Sequence, residues 1–213
     1  MNPIAILGGT FDPVHIGHLR VAWEAAEGLG AQVRLMPAHV PPHRPPPQAS
    51  AEQRVRMLEL SLIGQDRLIL DTRELRRDGP SYSVDTLREL RSEVGSAQSL
   101  TLLLGADAFV GLPSWHRWRE LFDLAHLVVL TRPGHEAQAP AELVAEIAPR
   151  RVHDAQALQC TPAGHVFDLR VSALEISSSM IRERLARGHE PRWLLADALL
   201  AQPELLDVYR RPT

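Results

Sequence analysis

An apolar run, Ile4-Ala5-Ile6-Leu7, passes without a break into Gly8-Gly9-Thr10-Phe11-Asp12-Pro13-Val14-His15-Ile16-Gly17-His18, and from there into a segment with helical spacing. Strand, glycine-bearing turn and helix in that order commit the chain to an α/β unit, and the turn is where open α/β sheets bind nucleotides. The two glycines let the backbone approach a phosphate closely, and a helix start aims unpaired N–H groups at it. His15 and His18, three apart, fall on one face of the first helical turn. The ligand that these features imply is a polyphosphate.

The rest of the sequence repeats this alternation. Apolar runs at 4–7, 33–36, 68–70, 100–104, 127–130 and 166–169 are mostly continuous, as expected of strands buried on both faces, which predicts a parallel sheet. Between them, Leu19, Ala22, Trp23, Ala26 and Leu29 have helical spacing closed by Gly30. Val55, Leu58 and Leu62 form a second such set behind a capping box at Ser50 and Gln53, and Val84, Leu87, Leu90 and Val94 a third that ends at Gly95. The expected fold is α/β: a Rossmann-like, doubly wound parallel sheet with helices on both faces and an all-helical end from about residue 176. At 213 residues the chain has room for one such unit, so residues 1–213 are expected to form a single domain. Two segments break the alternation. Pro41-Pro42-His43-Arg44-Pro45-Pro46-Pro47 reads as a stiff, extended loop after the second strand, and 133–149, with a short Ala/Glu-rich helix, as a surface insertion.

Charge and composition narrow the chemistry. All 23 basic residues are arginine, so a Walker-type phosphate loop, a Schiff base and a kinase-type lysine are excluded, and any cationic clamp is arginine or histidine. A formal charge of −3 argues against a nucleic-acid surface. No apolar run is long enough to span a membrane, and Met1-Asn2-Pro3-Ile4 enters a strand instead of a signal segment, so the expected location is the cytoplasm. Cys160, the only cysteine, is expected to be a buried or idle thiol. His39 and His43 do not suggest a metal pair, because the intervening prolines forbid the helix that would put them on one face. No residue is assigned as a protein ligand to a metal.

The complete string around His15-Ile16-Gly17-His18 resembles the H-x-G-H signature of the nucleotidyltransferase superfamily, and Ile176-Ser177-Ser178-Ser179-Met180-Ile181-Arg182 resembles its second box. Further segments resemble the bacterial nicotinate-nucleotide adenylyltransferases: Pro41-Pro42-His43-Arg44, Gly79-Pro80-Ser81-Tyr82-Ser83, Gly105-Ala106-Asp107, Leu112-Pro113-Ser114-Trp115-His116, Thr131-Arg132-Pro133-Gly134 and Val208-Tyr209-Arg210. The resemblance implies an enzyme of NAD biosynthesis that joins nicotinate mononucleotide to the AMP part of ATP by in-line displacement at the α-phosphorus, releasing pyrophosphate.

It implies catalytic roles for His15, His18 and Arg182, and an ATP site formed by Gly8, Gly9, Thr10, Phe11, His15, His18, Gly105, Asp107, Ile176, Ser178 and Arg182. The mononucleotide site would comprise His43, Arg44, Ser83, Trp115, His116 and Arg132, with Trp115 stacked on the pyridine ring and main-chain N–H groups at Ser83 and His116 on the carboxylate. The family often has Thr and Tyr where this chain has Ser83 and His116, which weakens any role for the His116 imidazole. For Phe11 and Asp12, packing and turn-stabilising roles read as well as substrate contact. Mg²⁺ is expected to be bound mainly through ATP oxygens and water. The expected partners are the two small-molecule substrates, without nucleic acid or membrane, and a homo-oligomer is left open. The rival readings are a sister transferase acting on phosphopantetheine or nicotinamide mononucleotide, and a nucleotide-sensing module that binds without reacting.

Overall fold

All six expected strands are present in the computed structural model, which describes residues 2–40, 45–131, 139–172 and 174–210. In chain order the elements are β1 (Ile4–Gly9), α1 (Ile16–Leu29), β2 (Gln32–Pro37), α2 (Ala51–Ser61), β3 (Leu68–Leu70), α3 (Ser83–Val94), β4 (Leu100–Gly105), α4 (Ala106–Val110), α5 (Leu121–Leu124), β5 (His126–Thr131), α6 (Ala141–Ile147), β6 (Arg151–Val152), α7 (Ala157–Cys160), β7 (Val166–Arg170), α8 (Ser178–Ala186) and α9 (Asp197–Leu200). A 3₁₀ segment, Pro203–Tyr209, closes the described chain. The strands form one sheet in the order β3-β2-β1-β4-β5-β7-β6, and every adjacent pair is parallel.

Burial on both faces explains the continuous apolar runs. Adjacent side chains of β1 part company: Ala5 enters a core formed with α1, α2, α8, α9 and the final 3₁₀ segment, whereas Ile6 enters one formed with α3, α5 and α6. Each leucine or isoleucine fully buried this way contributes about 2 kcal/mol. The helix boundaries follow the local signals. Ser50 and Gln53 make their reciprocal capping bonds at the start of α2, and Gly30 ends α1 in the left-handed region at φ 59°, where its N–H reaches the carbonyls of Ala26 and Glu27.

Three expectations need correction. The described part of 133–149 is a core element, not a surface insertion, because Leu143 and Ile147, one turn apart on α6, are buried in the second core. Its Ala/Glu-rich composition describes only the outer face. A seventh strand, β6, joins the sheet edge; at two residues it is too short to leave a pattern in sequence. Of the two readings of Cys160, buried or idle, the first falls, because the thiol is exposed. Among the described residues no helix is long and apolar enough to cross a membrane.

The topology locates the functional edge. Strand order reverses direction between β1 and β4, so the connections leaving those two strands diverge to opposite faces and open a crevice at their C-terminal ends. In a parallel sheet the connecting helices run back against the strands, which brings the N-termini of α1, α3, α4 and α8 to that same edge.

Candidate active site

Residues 10–15, leaving β1, form a turn built from the inside. Phe11 adopts φ 50° and folds its ring, 1% exposed, beneath the end of β1 and edge-on to His18, with centroids 5.0 Å apart. A Cβ on Gly9 would meet that ring at 3.0 Å, so the strand end needs glycine there. The Phe11 side chain therefore supports the turn from the core, and any ligand contact is left to its backbone.

His15 is the N-cap of α1, and the cap is reciprocal. Its Nδ1 accepts from the His18 N–H while the His18 Nδ1 accepts from the His15 N–H, both at 3.3 Å. An Nδ1 that accepts cannot carry the proton, so each neutral ring holds its proton on Nε2. The rings stack at 3.6 Å and 24°, which aligns the two Nε2–H donors. A Cβ at Gly17 would stand 3.0 Å from His15 Nδ1 and 3.5 Å from Ile176 Cβ, so glycine is what lets the ring and the second box close over the helix start. The Ile16 N–H is taken by the Leu194 carbonyl and the His18 N–H by His15, so at α1 the helix dipole and the two imidazole donors converge, a combination suited to an anion.

The second box is brought to this place. Ser177 caps α8 by accepting from Met180 N–H at 3.2 Å, Ser178 Oγ donates to the Pro13 carbonyl at 2.9 Å, and Arg182 Nη1 donates to the Asp12 carbonyl at 2.7 Å. The tips of α1 and α8, separated by about 160 residues, thus adjoin through 10–15. Arg182 remains partly exposed, at 27% of its side chain, but one arm of its guanidinium is committed to the turn.

Gly8 and Gly105 lie exposed at the C-terminal ends of β1 and β4, with open space where a Cβ would be, and Thr10 is half-buried between Gly9 and the turn. Asp107 is exposed in the first turn of α4.

A second cluster sits at the start of α3. Ser83 is the first residue of that helix, and Tyr82 before it supplies no side-chain cap, which leaves the first N–H groups as outward donors. The Tyr82 ring packs on His116, with centroids 4.5 Å apart and 31° between planes, and Trp115, half-buried, packs on the second core. Ser83, His116 and Trp115 are thereby brought together. Tyr82 was visible within Gly79–Ser83 but not singled out. The loop is tied down from below: the His39 ring bonds the Arg77 carbonyl at 2.9 Å, His39 N–H donates to Ser81 Oγ at 2.9 Å, and Thr86 Oγ1 donates to Glu74 at 2.7 Å. Burial pushes the Glu74 carboxyl above the usual carboxylate range, against the hydrogen bonds from Thr86 and Ser81 that pull it down. His43, Arg44 and Arg132, expected at the mononucleotide, lie outside the described residues.

Beneath the turn lie Arg54, which the sequence did not mark, and Asp12, whose turn-forming reading the structure bears out. Arg54, 1% exposed, donates Nη1 to the Thr10 carbonyl at 2.8 Å; burial pulls its pKa down and the nearby Asp12 opposes that. Asp12, 4% exposed, accepts from Gln48 N–H, Ala49 N–H and Tyr209 OH at 2.8, 3.0 and 2.7 Å, which makes it a turn-forming residue. A buried arginine within an amphipathic helix was the one available signal, since Arg54 falls on the apolar stripe of α2 with Leu58.

The sequence profile of the cytidylyltransferase-like family matches residues 6–184. A relative from Pseudomonas fluorescens, named a probable nicotinate-nucleotide adenylyltransferase, is 47% identical over 98% of both chains. One of the same name from Dechloromonas aromatica is 45% identical over 98% of both. Among solved structures, a Plasmodium falciparum nicotinic acid mononucleotide adenylyltransferase complexed with NaAD superposes with a TM-score of 0.72 over 98% of both chains, at 14% identity, which speaks to fold alone. Near-full-length identity at this level, on a chain whose two signature boxes meet at the switch point of its sheet, places it in the nicotinate-nucleotide adenylyltransferase family.

Proposed function

We propose that this enzyme transfers the adenylyl group of ATP to nicotinate mononucleotide, giving deamido-NAD and pyrophosphate, by direct in-line displacement. The observation that carries the proposal is the junction of the α1 and α8 tips at 10–15, where Ser178 and Arg182 bond the backbone that also presents His15 and His18.

The attacking group is a phosphate oxygen of the mononucleotide, already ionised at neutral pH, so no general base is needed. Its bond to the α-phosphorus forms as the bond to the bridging oxygen of pyrophosphate breaks, and negative charge grows on the non-bridging and leaving oxygens. Two Nε2–H donors fixed by the reciprocal cap, together with the positive end of the α1 dipole, are preorganised for that charge. The main-chain N–H of Ser178 and the exposed part of Arg182 serve the departing pyrophosphate, while Gly8, Gly9, Thr10, Gly105, Asp107 and Ile176 line the path of ATP. Asp12, the acidic residue of the turn, is taken up by two amides and a phenol and faces Arg182 Nη1 at 3.8 Å. Mg²⁺ therefore fits as an ion carried in by the triphosphate, bound by its oxygens and water.

For the second substrate, Trp115 offers a face to the cationic pyridinium, and the N–H groups at Ser83 and His116 receive the carboxylate. Donors facing an amide NH₂ would be left unpaired, so acid is preferred over amide. The same reading places the enzyme in the cytoplasm as one domain over residues 1–213. The test is pyrophosphate release with ATP and Mg²⁺, comparing nicotinate mononucleotide, nicotinamide mononucleotide and phosphopantetheine. Rapid release with the first alone is expected. Release with phosphopantetheine in preference, or nucleotide binding with no release, overturns the reading.

A further inference from the structure

We propose that Tyr209, at the far end of the chain, is a positioning residue for the catalytic turn and acts through Asp12, an inference that rests on the adenylyl-transfer reading. Three carbonyls of the turn are each held by a side chain from elsewhere: Thr10 by Arg54 of α2, Asp12 by Arg182 of α8, and Pro13 by Ser178 of α8. These contacts act on the main chain between β1 and the N-cap. The fourth restraint is the Asp12 carboxylate: its Oδ2 accepts from Gln48 N–H and faces Arg182 Nη1 at 3.8 Å, and its Oδ1 accepts from Ala49 N–H and from the Tyr209 hydroxyl, 197 positions away in sequence.

Two features separate a positioning role from packing. The Tyr209 ring, 3% exposed, lies in the first core with Leu206, where a phenylalanine would fill the same volume. The hydroxyl adds nothing to that packing and would cost stability if left unpaired; its bond is spent on Asp12 at 2.7 Å. Asp12 is, moreover, only three residues from the N-cap that fixes both imidazoles, so a shift of its side chain is passed along a short, restrained stretch to His15. Displacement of reacting groups by about an ångström costs on the order of a hundredfold in rate, so a partial loosening is expected to cost about tenfold. Through Gln48 and Ala49 the same carboxylate also joins the end of the proline-rich stretch to the turn.

The test is Tyr209→Phe, assayed for pyrophosphate release well below its melting temperature. It is compared with wild type and with Arg91→Met, a stability control at the opposite edge of the sheet, where Arg91 donates to the carbonyls of Gly95, Gln98, Leu124 and Pro162. The inference predicts that Tyr209→Phe lowers kcat about tenfold with KM for both substrates within about twofold, whereas Arg91→Met lowers the melting temperature but keeps wild-type kcat. Wild-type kcat in Tyr209→Phe overturns it, whatever the change in melting temperature. Should that variant not accumulate as folded protein, Asp12→Asn, which keeps the shape but sets an NH₂ against donors, is measured in the same way, and wild-type kcat there is equally decisive. If wild-type protein releases no pyrophosphate, the functional reading has failed. Amide exchange at Gln48, Ala49 and His18 then decides the inference alone: faster exchange in Tyr209→Phe supports it, and unchanged exchange overturns it.

Discussion

Gly17 sits inside a helix, where alanine would ordinarily add up to about 1 kcal/mol of stability. Here a methyl group would stand 3.0 Å from the His15 ring, tighter than nearly all real contacts, and the ring is the side that must yield by a few tenths of an ångström. Gly17→Ala should therefore separate stability from activity: a melting temperature unchanged or raised, with kcat down by tenfold or more. Parallel measurements of thermal unfolding and pyrophosphate release check this, and wild-type turnover would show that the stacked imidazoles do not need their present alignment. Trp115 poses the other residue-level question, core anchor or substrate platform. Its half-buried position on the second core admits both. Loss of a cation–π contact of about 1–2 kcal/mol predicts that Trp115→Ala raises KM for the mononucleotide roughly tenfold and leaves KM for ATP near wild type. Equal rises in both would assign the ring to packing.

Among the elements, β5 carries a histidine that the chemistry does not use. His126 is fully buried at the strand start, with Nε2 bonded to the Thr161 carbonyl at 2.9 Å and Nδ1 accepting from His165 N–H at 3.1 Å, so only the neutral ring satisfies both. Burial first, with the nearby His165 and Arg91 adding to it, lowers its pKa from 6.5 to about 4. Because the folded value lies below the unfolded one, the stability due to neutral His126 is complete above about pH 6.5 and is lost as pH falls towards 4, by about 3 kcal/mol. Urea unfolding at pH 7 and pH 4.5 should show this loss, and His126→Asn, which can still accept and donate, should flatten it. The same slope in both proteins would assign acid sensitivity to the carboxylates alone. Elements also mark how far the sequence could be read. Six strands, the caps at Ser50 and Gly30 and the helix starting at His15 were legible because each depends on neighbours within about four residues. The two-residue β6 was too short to leave a periodicity, and α6 was misplaced because Leu143 and Ile147 say that one face is buried without saying against what.

At the scale of the whole molecule, the sheet order brings β1 and β4 side by side, and α8 and the 3₁₀ segment Pro203–Tyr209 fold back onto the turn at 10–15. That return explains why the two signature boxes could be recognised from sequence while their support could not. Arg54, Asp12 and Tyr209 meet only in three dimensions, so Val208-Tyr209-Arg210 can be matched to a family segment without revealing that the hydroxyl reaches Asp12. The central claim is that the tips of α1 and α8 serve one triphosphate. Its most direct test is a crystal structure of the chain with Mg²⁺ and a non-hydrolysable ATP analogue bridged by carbon between the α- and β-phosphorus. A single triphosphate is expected, with His15 and His18 Nε2 within hydrogen-bond distance of its phosphate oxygens on one side, and Ser178 or Arg182 within that distance on the other. A triphosphate held by one tip alone, or bound away from residues 8–18, would contradict it.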